Sequence, residues 1–321
     1  MKESISVVIP YFNDSAKIKR CIESILHQSL LPSEIVIVDD ASADSKKLED
    51  TLKALQLEIK EAEIKVIYRR NTENMNGAYS RNLGVKLSNS IYIAFLDSDD
   101  YWLEKHLELS FNGLVEANAD FVYSNIVYEG ASKGRKIITV EEIDYKSQFP
   151  ADILFGKPPQ TNSFFFQKKI SNEISFDESL KRHQDYQFIF DLALSDLSVK
   201  YLNFSTSVYC DEGGSNSRFH MTSMYNFWNQ RRLHFSEKKL KQKAVSLMVT
   251  ARIAGSLSIE DDINKYEFLH FLGGNICYIF AIKLMARPHL RRVISYALQF
   301  TIDYRSFFIK AYKKFKSTKS A

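Results

Sequence analysis

Cysteine is scarce in this sequence: three residues in 321, with no spacing typical of a metal site. The odd count argues against a disulfide framework, so we expect a reducing compartment in which each cysteine packs as a small core residue. A predicted strand begins at Ile5, so we expect no signal peptide. The apolar stretch at 268–282 is too short and too polar to span a membrane. These absences predict a cytoplasmic globular protein.

Two common phosphate-binding motifs are missing as well. No Gly-x-Gly-x-x-Gly follows the first predicted strand, which argues against a dinucleotide cofactor. No Gly-x-x-x-x-Gly-Lys-Ser/Thr loop is present, which argues against a P-loop enzyme. The first strand is followed by Tyr11-Phe12-Asn13-Asp14, without the glycine, lysine and arginine that a sugar nucleotidyltransferase needs there. Any bound phosphate must then be held largely by a metal ion and by side chains.

The first hundred residues do contain a regular alternation of short apolar runs and helical patterns. Apolar runs end in Pro10, in Asp39-Asp40 and before Asp97, with helical spacing between them. Such an alternation predicts a parallel sheet that is covered by helices on both faces. Because ligands bind beyond the carboxyl ends of such strands, we expect these three strand ends to lie along one rim.

The run at 91–96 leads directly into Asp97, Asp99 and Asp100, the most informative stretch of the chain. Three carboxylates within four positions repel one another unless a cation neutralises them. Oxygen ligands at a strand end suit Mg²⁺ or Mn²⁺, ions that are usually shared with the phosphates of a nucleotide. An acidic turn that merely solvates the strand end is the alternative.

Taken together, these blocks resemble the family 2 glycosyltransferases, which are inverting enzymes of the GT-A fold. The resemblance covers roughly residues 4–105 and rests on Ser6–Asn13, Glu34–Ser42, Asn76-Gly77 with Ser80–Gly84, and Phe95–Asp100. A looser match is Phe176–Leu180 followed by Gln184-Asp185, where the family usually has a Glu-Asp pair. The resemblance implies an α/β fold of the GT-A type: a mostly parallel, Rossmann-like sheet flanked by helices, with a C-terminal helical extension.

The resemblance also assigns roles to individual residues. It implies a donor side, with Pro10 and Tyr11 flanking the nucleobase and Asp39 accepting from uracil or ribose, together with Arg81, Asp97 and Ser98. It implies Asp99 as the metal ligand, with Asp97 and His220 as further candidates, and an acceptor or lid side formed by Asp100, Ser215, Ser217 and Arg218. Glu212 stands where the family often has a histidine, which leaves the third metal ligand open.

Each of these roles has a plain structural alternative. Tyr11 is also compatible with a core position, and Asp39 and Asp40 with a solvated turn. Arg81 is also compatible with a salt bridge to an acidic strand end. The glycine-rich loop at 211–218 is also compatible with a polar lid that makes no direct contact.

Asp185 is the candidate general base. An acceptor hydroxyl must lose its proton as it attacks, which requires a carboxylate within hydrogen-bond reach. Asp185 precedes an apolar helical run, so a capping or helix-dipole role is the alternative. Attack from the opposite face inverts the anomeric centre, so an α-linked donor would give a β-glycoside.

The chain divides into three predicted regions. Residues 1–105 form a nucleotide-sugar-binding half, 106–220 an acceptor-binding half of the same GT-A domain, and 221–321 a helical, basic amphipathic region. From Lys283 onward there are ten lysines and arginines and one acid, Asp303, a pattern suited to an anionic membrane surface. A helix packed on the catalytic domain, with a solvated basic tail, is the alternative. Nothing resembles a nucleic-acid recognition module, so we expect no nucleic-acid partner.

The resulting hypothesis is an enzyme at the inner face of the cell membrane. By resemblance, it would use Mn²⁺ or Mg²⁺ to move a hexose from a UDP-sugar to a lipid-diphosphate-linked GlcNAc or GalNAc in surface-polysaccharide (O-antigen) synthesis. Glucose or galactose in a β1,3 linkage is the specific form expected. The competing class is a non-catalytic nucleotide-sugar-binding or scaffold protein on the same fold.

Overall fold

The computed structural model describes residues 4–130, 134–211, 221–240 and 243. The chain forms two compact units, Met1–Ser215 and Asn216–Ala321. The strands are β1 (Ile5–Tyr11), β2 (Glu34–Asp39), β3 (Lys65–Arg70), β4 (Tyr92–Phe95), β5 (Tyr101–Trp102), β6 (Phe121–Gly130), β7 (Gly134–Ile138), β8 (Phe165–Gln167) and β9 (Val199–Asp211). The helices are α1 (Ile18–Leu26), α2 (Ser45–Ala54), α3 (Gln56–Glu61), α4 (Gly77–Leu87), α5 (His106–Glu116), α6 (Gln184–Leu194) and α7 (Met221–Gln230).

The described strands of the first unit form one mixed sheet in the order β3-β2-β1-β4-β8-β6-β9-β5, with β7 paired to β6. Strands β3, β2, β1 and β4 are mutually parallel, as the alternation of apolar runs and helices predicts. Beyond β4 the sheet becomes mixed, because β8 runs antiparallel to both β4 and β6. The α/β fold with a mostly parallel sheet in its first half is therefore confirmed.

The central strands are buried on both faces. In β2 all six residues are buried, and in β1 all except Pro10 are buried. Helix α4 packs so closely on β1 that a side chain at Gly84 would collide with Val8. Continuous Val/Ile runs suit a strand that helices cover from both sides. This packing fixes the strand ends that carry the acidic residues.

Two features differ from the sequence prediction. The sequence pattern at 48–57 predicts one helix, whereas the structure has two, α2 and α3, which meet at Leu55. Strand β9 was not predicted, although it pairs with β6 along most of its length. Its residues alternate irregularly between polar and apolar, and its register with β6 shifts near Asn125, so a period-two pattern is absent.

In the second unit, α7 is followed by a short 3₁₀ helix at Arg232–His234. Trp228 packs its ring at 5.1 Å from the rings of both Phe227 and Phe235. Within the described residues, none of the helices is both long enough and apolar enough to cross a bilayer. The basic segment from Lys283 onward, which is expected to bind a membrane, lies outside the described residues.

Candidate active site

The carboxyl ends of β1, β2 and β4 meet at one edge of the sheet. Tyr11 is in register with Asp39 of β2, and Val8 is in register with Phe95 of β4. Since the three strands are parallel, the residues that follow them come together in space. The structure thus brings Asp39 and Asp97 to one rim.

Asp39, at the end of β2, is wholly buried. Its carboxylate accepts hydrogen bonds from the Ser42 backbone N–H (2.9 Å), the Ser45 hydroxyl and the Tyr68 hydroxyl (3.0 Å). Arg70 approaches the same carboxylate at 3.7 Å. These donors occupy Asp39 from within the protein, so the alternative of a solvated turn is wrong at this position.

Asp40 is bound in the same manner. Its carboxylate accepts hydrogen bonds from the Asn71 side chain (2.9 Å) and from the backbone N–H groups of Met75 (2.7 Å) and Asn76 (2.8 Å). Asp40 is 3% exposed, which again contradicts a solvated turn. It ties the end of β2 to the loop that begins α4.

Tyr11 is also a core residue. Its side chain is fully buried, and its hydroxyl donates to Asp44 at 2.8 Å. Burial, with help from that carboxylate, raises the pKa of Tyr11 far above its ordinary value. The structure therefore supports the core alternative for Tyr11 over a place beside a nucleobase, whereas the neighbouring Pro10 stays half-buried.

The end of β4 carries Asp97, whose partners come from distant parts of the chain. Its backbone N–H donates to the Asn162 side chain at 2.8 Å, and its carboxylate accepts from Arg81 at 2.5 Å. Arg81 is 8% exposed, and its guanidinium lies 5.3 Å from the centre of the Phe176 ring. The salt bridge that sequence allows for Arg81 is thus present.

Asp99 differs from its neighbours because its carboxylate accepts no hydrogen bond from another described residue. It is half-buried. Burial, and then the negative charges of Asp97 and Asp14, raise the pKa of Asp99 to about 6. A partly desolvated carboxylate beside two others favours a proton or a cation.

Ser98 and Asp100 are both buried and have hydrogen-bond partners of their own. The Ser98 hydroxyl donates to Asp14 at 2.7 Å, and Ser98 is buried. Asp100 is 1% exposed and accepts hydrogen bonds from the Cys210 backbone N–H (2.7 Å) and from the Asn162 side chain. The structure gives Asp100 an internal bracing role between β4 and β9, in place of a surface position toward an acceptor.

Asp185 lies in the first turn of α6 and is half-buried. Burial raises its pKa, while the Tyr186 backbone N–H and the charge of Arg81 oppose that rise. The helix cap is His183, in a left-handed conformation and without a side-chain capping bond, so Asp185 is not the capping residue. Arg81 links the two ends of the site, because it contacts Asp97 and also Gln184, which precedes Asp185.

Four predicted site residues cannot be placed. Ser215, Ser217, Arg218 and His220 fall within 212–220, outside the described residues, as does Glu212. Their assignment to a lid, an acceptor side or a metal remains a prediction.

Asp97 and Asp99 fit a divalent cation. Mg²⁺ is typically bound by one or two carboxylates together with substrate phosphates, and burial followed by the charges of Asp97 and Asp14 raises the pKa of Asp99, an environment that a cation would stabilise. Across the described part of the chain, no set of three or more His, Cys, Asp or Glu is arranged to hold a metal ion. The two carboxylates would therefore need further oxygen ligands from a substrate or from residues outside that part.

Sequence reasoning missed three residues that build this rim. Asn162 supports both Asp97 and Asp100, Asp14 adds a third carboxylate beside Asp99, and Gln184 contacts Arg81. Asp14 stands in a block that the sequence already singles out, so its proximity could have been inferred. Gln184 stands in the Gln184-Asp185 match, but its contact with Arg81, like the contacts of Asn162, joins positions far apart in sequence and leaves no local signal.

The chain is similar in sequence to proteins of a known family. Residues 6–176 match the family "Glycosyl transferase family 2". The chain is 32% identical over 192 residues to the amylovoran biosynthesis glycosyltransferase AmsB of Erwinia amylovora, covering 57% of this chain and 62% of AmsB. It is 29% identical over 143 residues to WfgD of Escherichia coli, covering 44% of this chain and 53% of WfgD. In both cases the match spans less than two thirds of the relative.

The overall fold matches that of TarS from S. aureus. The structure of TarS 1-349 in complex with UDP-GlcNAc aligns with a TM-score of 0.59 at 18% identity, covering 97% of this chain and 92% of TarS 1-349. At this identity the match shows a shared fold. The GT-A fold implied by the sequence blocks is confirmed.

Proposed function

The chain belongs to glycosyl transferase family 2, and on that premise we propose that it transfers a hexose, with inversion, from a UDP-sugar to a lipid-diphosphate-linked GlcNAc or GalNAc. The observation that carries the proposal is that Asp97 lies beside Asp99 and is bound by Arg81, whose charge also acts on Asp185. A cation-binding pair and a partly desolvated base on one rim suit displacement of a diphosphate by a hydroxyl.

Relatives support the choice of donor and acceptor. WfgD is named a UDP-Glc:alpha-D-GlcNAc-diphosphoundecaprenol beta-1,3-glucosyltransferase, and AmsB is named for amylovoran biosynthesis. TarS structures contain UDP or UDP-GlcNAc. For this chain we accordingly propose surface-polysaccharide synthesis, with glucose or galactose transferred in a β1,3 linkage.

On the donor side, Asp99 and Asp97 would hold Mn²⁺ or Mg²⁺. When bound, the cation would neutralise the negative charge that develops on the leaving diphosphate. Arg81 fixes the orientation of Asp97 through the 2.5 Å contact. Pro10 is the donor-side residue of β1 that keeps exposed surface.

On the acceptor side, Asp185 would remove the proton from the attacking hydroxyl. Burial raises the pKa of Asp185, which makes its carboxylate a stronger base, and the charge of Arg81 opposes that rise. Attack on the face opposite the diphosphate inverts the anomeric carbon.

A screen of UDP-sugars against a synthetic lipid-diphosphate GlcNAc acceptor, with Mn²⁺ present, tests the proposal. We expect UDP release and a glycosylated product with UDP-glucose or UDP-galactose. Asp185→Asn is the control, because it should still bind UDP. Binding of UDP-sugars without hydrolysis or transfer would favour the non-catalytic binding or scaffold protein instead.

We also propose a peripheral position at the inner face of the cell membrane, on sequence grounds. A membrane-bound segment at 289–316 would combine an apolar face with basic residues, each contributing about 1 kcal/mol near an anionic surface. Replacing Lys310, Lys313, Lys314 and Lys316 with glutamine should release the full-length protein from anionic liposomes, and added salt should release the wild type. Failure of the wild type to bind such liposomes at low salt would overturn this position.

A further inference from the structure

Gln184 begins α6 and contacts three parts of the site. Its side-chain oxygen accepts from the Arg81 guanidinium Nη1 at 3.2 Å. Its side-chain nitrogen donates to the Leu180 carbonyl at 2.8 Å and to the Asn76 side-chain oxygen at 3.3 Å. The family resemblance predicts glutamate at this position, and the contacts of Gln184 give a physical reason for the glutamine.

The orientation of the Gln184 amide is fixed by its neighbours. The Asn76 oxygen already accepts from the backbone N–H groups of Ala78 (2.8 Å) and Tyr79 (3.3 Å), so that atom must be the oxygen of the Asn76 amide. The Leu180 carbonyl is likewise an acceptor only. The end of Gln184 that faces them must therefore be its NH₂ group, and its oxygen must face Arg81.

A carboxylate does not satisfy the same surroundings. Glutamate at 184 would turn one oxygen toward Arg81 but would turn the other toward the Leu180 carbonyl and the Asn76 oxygen. Neither of these offers a proton, so acceptor would face acceptor. Two lost hydrogen bonds and the repulsion between oxygens would push the side chain away from its place.

Arg81 depends on this contact. Its Nη2 is held by Asp97 and its Nη1 by Gln184, while its buried Nε has no hydrogen-bond partner among the described residues. Gly77 leaves room for the pair: an added Cβ there would lie 3.1 Å from Arg81 Nη1 and 3.4 Å from the Gln184 oxygen. Without Gln184, Asp97 would be the one described hydrogen-bond partner left to the guanidinium, beside its contact with the Phe176 ring.

We propose that Gln184 is a positioning residue whose amide, and not a carboxylate, fixes Arg81 between Asp97 and the start of α6. The inference rests on the proposed function, because Arg81 matters for transfer only if Asp97 and Asp185 act as described. Gln184 itself touches neither donor nor acceptor. It orients the guanidinium that orients Asp97 and stands beside Asp185.

Two substitutions at position 184 distinguish the contribution of the amide from that of a carboxylate and from that of side-chain volume. Gln184→Met keeps the volume and removes all three side-chain hydrogen bonds, whereas Gln184→Glu keeps the acceptor toward Arg81. We expect kcat to fall about tenfold in both, with KM for the UDP-sugar changed less than about twofold, because a misplaced positioning group acts mainly on the transition state. Wild-type kcat in Gln184→Glu would overturn the preference for an amide. Wild-type kcat in Gln184→Met would show that the side chain contributes only by packing, which would overturn the positioning role.

A double-mutant cycle tests whether Gln184 acts through Arg81. If it does, Gln184→Met should lower kcat about tenfold in the wild type but less than about twofold in an Arg81→Lys background. Gln187→Met is the matched control, because Gln187 lies on the same helix but bonds to Ser175 and Asp177. Gln187→Met should lower the melting temperature and show no coupling to Arg81→Lys. If the effects of Gln184→Met and Arg81→Lys on kcat are additive, the proposal is refuted.

Thermal unfolding of the same variants needs no substrate. Gln184→Glu should melt below Gln184→Met, by about 3 °C, because only the glutamate places acceptor against acceptor. A wild-type protein that fails to bind UDP with Mn²⁺ in calorimetry would count against the proposed function, while the order of melting temperatures would still decide the amide preference. The reverse order would overturn it.

Discussion

Strands β2 and β4 run parallel on either side of β1, and each is followed by closely spaced aspartates: Asp39-Asp40 after β2, and Asp97 with Asp99 after β4. At β2, seven donors or cations reach the two carboxylates, and both residues are buried. At β4, Arg81 is the described residue that hydrogen-bonds to the Asp97 carboxylate, and the Asp99 carboxylate accepts none from another described residue.

The two strand ends differ in how far the protein's own donors already occupy the carboxylates. A saturated carboxylate already has its hydrogen bonds and gains little from a ligand: Asp39 ties the end of β2 to the start of α2 and to β3, and Asp40 ties it to the loop before α4. An undersatisfied carboxylate near like charge has a raised pKa and favours a cation, as at Asp99. One sequence pattern thus produces two different sites.

The largest effect is expected from an alanine substitution at the end of β4, which is later compared with the same substitution at the end of β2. Asp99→Ala should lower transfer by roughly 10³-fold or more, since it removes a candidate metal ligand and no hydrogen bond from another described residue. Its free energy of unfolding should stay unchanged or rise, because like charge is removed. Activity assays with Mn²⁺, with and without EDTA, and chemical denaturation measure the two effects. Full activity of Asp99→Ala in EDTA would refute the metal assignment.

Asp185→Asn extends the comparison to α6. The amide is nearly isosteric but cannot take a proton, so turnover should fall roughly 10²-fold or more, with UDP affinity nearly unchanged. Because burial raises the pKa of Asp185, wild-type activity should be lost as pH falls through that raised pKa, and the variant should lack this acid limb. The pH profile of kcat measures it. Near-normal turnover in Asp185→Asn would show that another residue is the general base, and Glu178 and Asp177 would be tested next.

Sequence patterns predicted much of the first half of the fold for a physical reason. Strands β1, β2 and β4 are continuous apolar runs because helices cover them on both faces, and such runs are visible without any partner. Strand β9 has mixed polarity and an irregular register, so it could not be predicted locally. The rim itself followed from the rule for parallel strands.

The sequence could not distinguish Asp39 from Asp99. The donors that saturate Asp39 and Asp40 include Tyr68 on β3 and Asn71 after it, about thirty positions away, and their arrival depends on the packed sheet. The same holds for Asn162, which lies beneath Asp97 and Asp100. Saturation is a property of the tertiary structure, and a local sequence pattern does not contain it.

Asp40→Ala is the counterpart of Asp99→Ala and should affect stability. It would leave the backbone N–H groups of Met75 and Asn76 without their acceptor, which should lower the free energy of unfolding by about 2 kcal/mol. Urea denaturation measures the change, with Asp99→Ala as the control that should show no loss. Equal free energies of unfolding for Asp40→Ala and Asp99→Ala would contradict the difference in hydrogen bonding between the two strand ends.

Tyr68→Phe should have the smallest effect and sharpens the role of Asp39. The Tyr68 hydroxyl donates to Asp39 at 3.0 Å, and burial with this carboxylate raises the pKa of Tyr68 to about 12. The phenylalanine variant keeps the ring and removes one of several donors, so the free energy of unfolding should fall by about 1 kcal/mol. If Asp39 is structural, calorimetry should find the affinity for UDP unchanged, since Ser42 and Ser45 still hold the carboxylate. A UDP affinity that changes by more than about tenfold, at nearly wild-type stability, would instead place Asp39 in contact with the donor.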